Sequence, residues 1–331
     1  MNEKKYKARK YNFMFRTKYI GEISEEDYDK KIWLAGWIEE IRNLGGIAFI
    51  ILRDRSGRAQ LTAIKKENAE LFKEIVSVSR ESVISAGGTC KKNEKVVNGW
   101  EILVEEFKLI SEAATPLPMG VIDKVNVDFD TRLDNRIIDL RKDNVKAIFT
   151  IRSSFIKHSS DFLRKKGFVE VHTPKISSSS SEGGTEVFRI NYFDRDAYLV
   201  QSPQLYKQML MATGLDRVFE IAWYFRAEEH DTTRHLNEST AIDIEMAFIE
   251  SEEDVMKIAE EMTSYSIDKI VEENSKELEI LNAEVDFSSP PYQRIKYDEV
   301  VEILSKKIDF SWGKDLGTDE ENLLYKNLGY D

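Results

Sequence analysis

Between Lys31 and Ser111 the apolar residues fall into five short runs: "IWLAGWIEEI", "IAFIILRD", "AQLTAI", "SVISAGGT" and "WEILVEEFKLI". The glycine turns Leu44-Gly45-Gly46 and Arg55-Ser56-Gly57 punctuate them, so each reads as a strand. A helical patch near Asn68 to Val78 separates the third run from the fourth. Five strands with one interposed helix fit a small Greek-key barrel of the OB type, a fold often used to bind oligonucleotides. Taken alone, the pattern suits an SH3-like barrel equally well.

"ATPLPMG", from Ala114 to Gly120, holds two of the six prolines and marks a domain boundary. After it, "DTRLDNRIIDLR" alternates charges densely. It reads as a hinge whose Arg and Asp side chains pair, with a solvated charged loop as the alternative. Beyond Asn144, Val145, Ile148, Ile151, Phe155, Phe162 and Leu163 keep near-helical spacing as far as Gly167, a residue type suited to the C′ position. A long amphipathic helix is expected there, then a strand in "FVEVHTP" stopped by Pro174, then a mobile loop in "KISSSSSEGGTEVF". A further helix should start after Ser251, capped by Ser251 and Asp254, with Val255, Ile258, Met262 and Ile270 on one side. The remaining text, "PPYQRIKYDEVVEIL" and "FSWGKDLGTDEENLL", alternates strand and helix without repeats.

Seventeen Phe, 13 Tyr and 5 Trp in 331 residues are too aromatic for a disordered chain, and the length suits about two domains. A single cysteine, Cys90, excludes an intramolecular disulfide framework and thiolate metal clusters, and points to a reducing compartment. The N-terminus lacks an apolar core of the signal-peptide kind, and nowhere do eighteen apolar residues run together. A cytoplasmic protein is expected. A net charge of −12 counts against wide, sequence-blind contact with nucleic acid. Lys4, Lys5, Lys7, Arg9 and Lys10 form a local basic tail, read either as solvated or as a phosphate contact.

One constellation stands out. Written as a strand, "RVFEIAWYFRAE" puts Phe219, Ile221, Trp223 and Phe225 on one side and Glu220, Tyr224, Arg226 and Glu228 on the other. "AIDIEMAF" sorts likewise, with Ile242, Ile244, Met246 and Phe248 against Asp243 and Glu245. A hairpin joined by the loop from His230 to Thr240 would gather Arg226, Glu228 and Asp243 on a charged sheet floor. A structural ion-pair network gives the same pattern. Arg234 and His235, at the return of the loop, are placed to meet a polyphosphate. His230 and His235 make a poor zinc pair, since no thiolate is near. Nothing offers a Ser-His-Asp or Cys-His nucleophile, so chemistry on this floor would rest on positioning and electrostatics.

"GLDRVFEIAWYFRAEEHDTTRHLNE" with "IDIEMAF" resembles motif 2 of the class II aminoacyl-tRNA synthetases, in the form found in aspartyl-tRNA synthetases of the archaeal and eukaryotic type. "AGWIEEIRNLGGIAFIILRDRSGRAQLT" resembles that family's anticodon-binding OB domain, "DTRLDNRIIDLR" its hinge, and "GFVEVHTPKI" its motif 1. "SEGGTEVF" and "QSPQLYKQ" resemble its amino-acid pocket, and the likeness extends through "WGKDLGT". The resemblance implies an α+β protein: a basic tail at 1–14, an OB barrel over 15–113, a hinge over 114–144, and a class II antiparallel-sheet catalytic domain over 145–331.

It implies activation of aspartate by ATP to aspartyl-adenylate, then transfer to the 3′ end of a tRNA, with no covalent enzyme intermediate. Arg226 would grip the α-phosphate and the substrate carboxylate. Glu228 would orient the adenine side, and Arg234, His235 and Leu236 would hold the triphosphate. Glu182 and Asp243 match acids for the α-ammonium, and Gln204 and Lys207 match the side-chain pocket. A buried Lys207 ammonium would favour a carboxylate over a carboxamide, and so aspartate over asparagine. Phe49 and Gln60 match the anticodon readers, one stacking on a base and one bonding a base edge, with Arg42 beside them; core packing is the alternative for Phe49. Pro174 and the helix before it match the dimer contact, implying a homodimer.

Two departures matter. Trp223 stands where the family writes proline; on the core face, it should be accommodated by repacking. The family's motif 3, its magnesium-binding acids and an arginine for the substrate carboxylate are expected beyond Asp331, so a fragment with an incomplete sheet is expected. Magnesium therefore has no expected ligand in this chain. Asparaginyl-tRNA synthetase and a non-catalytic tRNA-binding or dimer-forming paralogue are the competing readings, and charging of the asparagine tRNA is left open.

Overall fold

The computed structural model describes residues 15–122, 126–179, 187–228, 236–285 and 289–328. The chain divides into two compact units, Met1–Lys142 and Asp143–Asp331.

In the first unit the five apolar runs become β1 (Lys31–Asn43), β2 (Ile47–Arg53), β3 (Arg58–Ile64), β4 (Val83–Lys92) and β5 (Trp100–Ser111), with helix α1 (Ala69–Ser77) between β3 and β4. They close into a barrel in the order β1-β2-β3-β5-β4. Antiparallel pairing of β1 with β4 seals it. The helix position and the parallel β3–β5 pairing select the OB arrangement over the SH3-like one. Alternate residues fill the interior: Leu34, Ile38, Ile50, Leu52, Leu61, Ile84 and Ile102 are buried. Helix α1 adds Phe72 and Ile75, and the Asn68 side chain caps it by accepting from Leu71 N at 3.0 Å. Gly88 permits the β4–β5 crossing, because a Cβ there would lie 1.8 Å from Leu103 O.

A buried ion network ties the far end of this unit to the barrel. Arg53 NH1 donates to Glu39 at 3.1 Å and NH2 to Glu81 at 3.0 Å, while Arg141 NH1 reaches Glu81 at 3.1 Å. Two short helices, α2 (Phe129–Asp134) and α3 (Arg136–Asp139), precede Arg141. Their Asp139, fully buried, accepts from Arg132 Nε at 2.9 Å and Arg136 NH1 at 2.5 Å. The Arg and Asp side chains of "DTRLDNRIIDLR" therefore pair, as the charge pattern predicts, and the segment is no simple solvated loop.

The second unit begins with α4 (Asp143–Lys165), ended by Gly167 at φ +84°. Next come β6 (Val169–Glu170), β7 (Ile176–Ser177), β8 (Arg189–Tyr192), β9 (Arg195–Leu199), α5 (Gln204–Met211), β10 (Arg217–Phe225) and β11 (Glu238–Met246). The unit finishes with α6 (Glu252–Glu273), α7 (Ser275–Leu281), α8 (Tyr297–Ser305) and α9 (Thr318–Asn327). Ser251 caps α6, and Asp254 completes the box by accepting from Ser251 N at 3.3 Å.

Two three-stranded sheets form among the described residues, in the orders β11-β10-β6 and β7-β9-β8. The predicted strand in "FVEVHTP" shrinks to two residues that pair parallel with β10. On one face of β10–β11, Phe162 and Leu163 of α4 pack with Phe219 of β10 and Ile258 and Met262 of α6. The other face is left for polar side chains. Among the described residues no helix is long and apolar enough to cross a membrane.

Candidate functional site

The hairpin register sets the polar face. Antiparallel partners share a face, and β10 pairs Val218 with Glu245, Glu220 with Asp243, Ala222 with Ala241 and Tyr224 with Ser239. Three carboxylates, Glu220, Asp243 and Glu245, thus crowd one end of the floor. Each lies within reach of a lysine. Helix α5 covers this end and inserts Lys207, which is only 1% exposed. Lys207 Nζ donates to Ile244 O at 2.9 Å, to Glu245 Oε2 at 3.2 Å and to the Asp243 carboxylate. Its three N–H groups meet three acceptors, which offsets the desolvation of a buried ammonium. Gln204 Nε2 donates to the same Glu245 oxygen at 3.0 Å.

Glu220, equally buried, is satisfied separately. It accepts from Thr173 N at 3.1 Å, Thr173 Oγ1 at 2.8 Å and Lys175 Nζ at 2.7 Å. This contact fixes the chain on either side of Pro174, which is itself exposed.

Arg226 follows directly after β10. Its N–H donates to Asn237 O at 3.1 Å, and its guanidinium carbon lies 5.6 Å from the centre of the Tyr224 ring, which keeps the side chain on the polar face. Arg226 is exposed and makes no ion pair among the described residues. The hairpin does not, however, gather Arg226, Glu228 and Asp243 into one cluster. Asp243 is level with Glu220, and Arg226 lies 226 − 220 = 6 residues further along. At about 3.3 Å per residue that is roughly 20 Å of strand. The floor is a strip with a lysine and carboxylates at one end and an arginine at the other. Glu228 is half-buried just beyond it, and Leu236 is exposed on the returning side. Glu182, His230, Arg234 and His235 lie outside the described residues.

Two expectations change. The Lys207 ammonium does not wait uncompensated for a substrate carboxylate, because Asp243 and Glu245 already neutralise it. Trp223, expected in the core, is 56% exposed: it pairs with Thr240 on the face that packs on α4 and α6 but stays outside their buried cluster. Glu220 and Glu245 complete the floor and were not among the expected site residues, although strand alternation already put both on the charged face.

On the barrel, Arg42 pairs in register with Phe49, and Ile51 with Gln60, along β1, β2 and β3. Ala48, Ile50 and Leu52 occupy the interior, so Phe49 points outward and half-exposed rather than into the core. Gln60 Nε2 donates to Glu101 at 2.9 Å, and Arg42 Nε donates to Glu40 at 2.8 Å. That bond with Arg42 holds the Glu40 carboxyl below the usual range. An outward aromatic beside an amide and an arginine suits stacking on an unpaired base. Among the described residues no group of three or more His, Cys, Asp or Glu side chains is placed to hold a metal ion.

Comparison with known proteins agrees with both units. The family "tRNA synthetases class II (D, K and N)" matches residues 128–327, and the OB-fold nucleic acid binding domain matches residues 32–110. The chain belongs to the class II tRNA synthetases (D, K and N). Within that family it is 51% identical to the aspartate–tRNA(Asp) ligase of Pyrococcus abyssi, over 95% of this chain and 72% of that one. It is 49% identical to the aspartate–tRNA(Asp/Asn) ligase of Methanopyrus kandleri, over 94% of this chain and 73% of the relative. The structure resembles that of asparaginyl-tRNA synthetase from Pyrococcus horikoshii complexed with asparaginyl-adenylate. There the TM-score is 0.86 at 32% identity, covering 94% of this chain and 72% of that one. As a class II synthetase, the chain carries its polar strip on the β10–β11 hairpin and its nucleic-acid-binding fold in the barrel.

Proposed function

We propose that this class II synthetase activates L-aspartate with ATP and transfers the aspartyl group to tRNA(Asp). The observation that carries the reading is the strip itself: a lysine–carboxylate end under α5 and, at the other end, an arginine that makes no ion pair among the described residues. It occurs in a chain about half identical to aspartate–tRNA ligases along nearly its whole length.

In the activation step a carboxylate oxygen of aspartate attacks the α-phosphorus of ATP, and the bond to pyrophosphate breaks. Arg226 is positioned to neutralise charge on the α-phosphate as it grows, an electrostatic contribution that needs no proton transfer. Gln204, Lys207 and Asp243 form the amino-acid end, with Glu182 assigned to the α-ammonium. Glu228, Arg234, His235 and Leu236 are assigned to the rest of ATP. In the second step a ribose hydroxyl at the tRNA 3′ end attacks the aspartyl carbonyl and AMP leaves. ATP is consumed as a substrate. Phe49, Gln60 and Arg42 read the anticodon from the outer barrel face.

Aspartate is favoured over asparagine because curated relatives at about half identity are aspartate ligases, not because Lys207 lacks a partner. The Methanopyrus relative, an aspartate–tRNA(Asp/Asn) ligase, supports a second reading in which aspartate is also loaded on tRNA(Asn). Exposed Pro174, with Ile148 and Phe149 of α4, supplies apolar surface for a second copy, and we assign the active form to a cytoplasmic homodimer. ATP–pyrophosphate exchange tests the reading. Exchange should require aspartate; preference for asparagine would overturn the substrate. No exchange from the folded chain would leave a non-catalytic tRNA-binding role.

A further inference from the structure

One carboxylate oxygen on the strip serves two side chains of α5. Glu245 Oε2 accepts from Gln204 Nε2 at 3.0 Å and from Lys207 Nζ at 3.2 Å. Gln204 and Lys207 are three residues apart, on one side of the helix. Glu245 is the one side chain to which both are bonded among the described residues. It reaches them from β11, one strand period beyond Asp243 and on the same face.

We propose that Glu245 is a positioning residue of the amino-acid subsite, acting through Gln204 and Lys207 rather than on the amino acid itself. The inference rests on the assignment of those two residues to aspartate. Lysine and glutamine are long, rotamer-rich side chains, and freezing them on binding costs affinity. A shared anchor removes that cost in advance. Electrostatics alone argues the other way, since a second carboxylate beside Lys207 repels an incoming anionic side chain. The sign of the effect of removing Glu245 therefore separates the two roles.

The test is calorimetric titration of the full chain with a non-hydrolysable sulfamoyl analogue of aspartyl-adenylate, and separately with ATP, for the parent, Glu245→Gln and Glu245→Ala. Losing a hydrogen-bonded anchor of a charged group should raise the analogue Kd about tenfold in Glu245→Ala. Glu245→Gln should fall between, because its carbonyl oxygen still accepts one of the two bonds. The Kd for ATP should stay within about twofold, since Glu245 is paired with Val218, far from Arg226 along the strand. Unchanged or tighter analogue binding overturns the proposal, as does an equal loss for ATP and analogue, which marks a merely structural role. If Glu245→Ala does not fold, the near-isosteric Glu245→Gln carries the test by the same criteria. A parent that binds neither ligand overturns the functional reading and this inference with it, whereas a binding parent with unaffected variants overturns this inference alone.

Discussion

Glu220 and Asp243 lie directly opposite each other in the β10–β11 ladder, yet their carboxylates are served by different lysines, Lys175 and Lys207. Facing like charges destabilise a sheet unless each is compensated. Here the compensation comes from two separate segments, one before β7 and one in α5, so the floor forms only when both are docked.

Lys207→Met should be costly. It strands Asp243 and Glu245 beneath α5 without their cation, and breaking such a pair costs about 3 kcal/mol. Urea denaturation should show that loss, and aspartate-dependent exchange should vanish.

Arg226→Ala should do the opposite. The side chain is exposed and makes no ion pair among the described residues, so the melting temperature should stay unchanged. The rate of pyrophosphate exchange should drop roughly 100- to 1000-fold if the guanidinium meets charge developing at the α-phosphorus. A fall under fivefold would count against that role.

Phe49→Ala should separate the two reactions. Loss of one stacking platform is worth about 1–3 kcal/mol. The KM for tRNA should rise about tenfold by that measure, while exchange without tRNA stays as in the parent.

Acid stability should depend on Asp139. Its bond with Arg132 holds the carboxyl below the usual carboxylate range. The unfolded chain then binds the proton more readily, so the stabilisation is present above the ordinary carboxylate pKa and is lost as pH falls through the depressed value. Asp139→Asn should lower stability at neutral pH and flatten the acid limb of the stability–pH curve, read by chemical denaturation at several pH values. An unaltered acid limb would assign it to other carboxylates.

Cys90 should be inert in the native protein. Burial within the barrel pushes its thiol up to about 11, so the neutral form dominates at pH 8. Labelling with a thiol reagent at pH 8 should require unfolding, and addition of denaturant should accelerate it sharply.

Much of the architecture was legible because it depends on local periodicity. Glycine turns and two-residue alternation outlined all five barrel strands, and Ser251 and Gly167 marked helix ends through their own caps. Short segments were less legible. "FVEVHTP" pairs over two residues rather than seven, and beyond them Thr173 is bonded to the Glu220 carboxylate instead. Trp223 shows the same limit, since its face is local information but what covers that face is not.

Alternation by itself determined that Glu220, Arg226, Asp243 and Glu245 belong to one polar face, because side-chain direction in a strand repeats every two residues. Only the tertiary structure decided that Asp243 stands level with Glu220, six residues from Arg226, and that Lys207 arrives already paired. Register and helix docking are set by contacts between residues distant in sequence, and no local period encodes them.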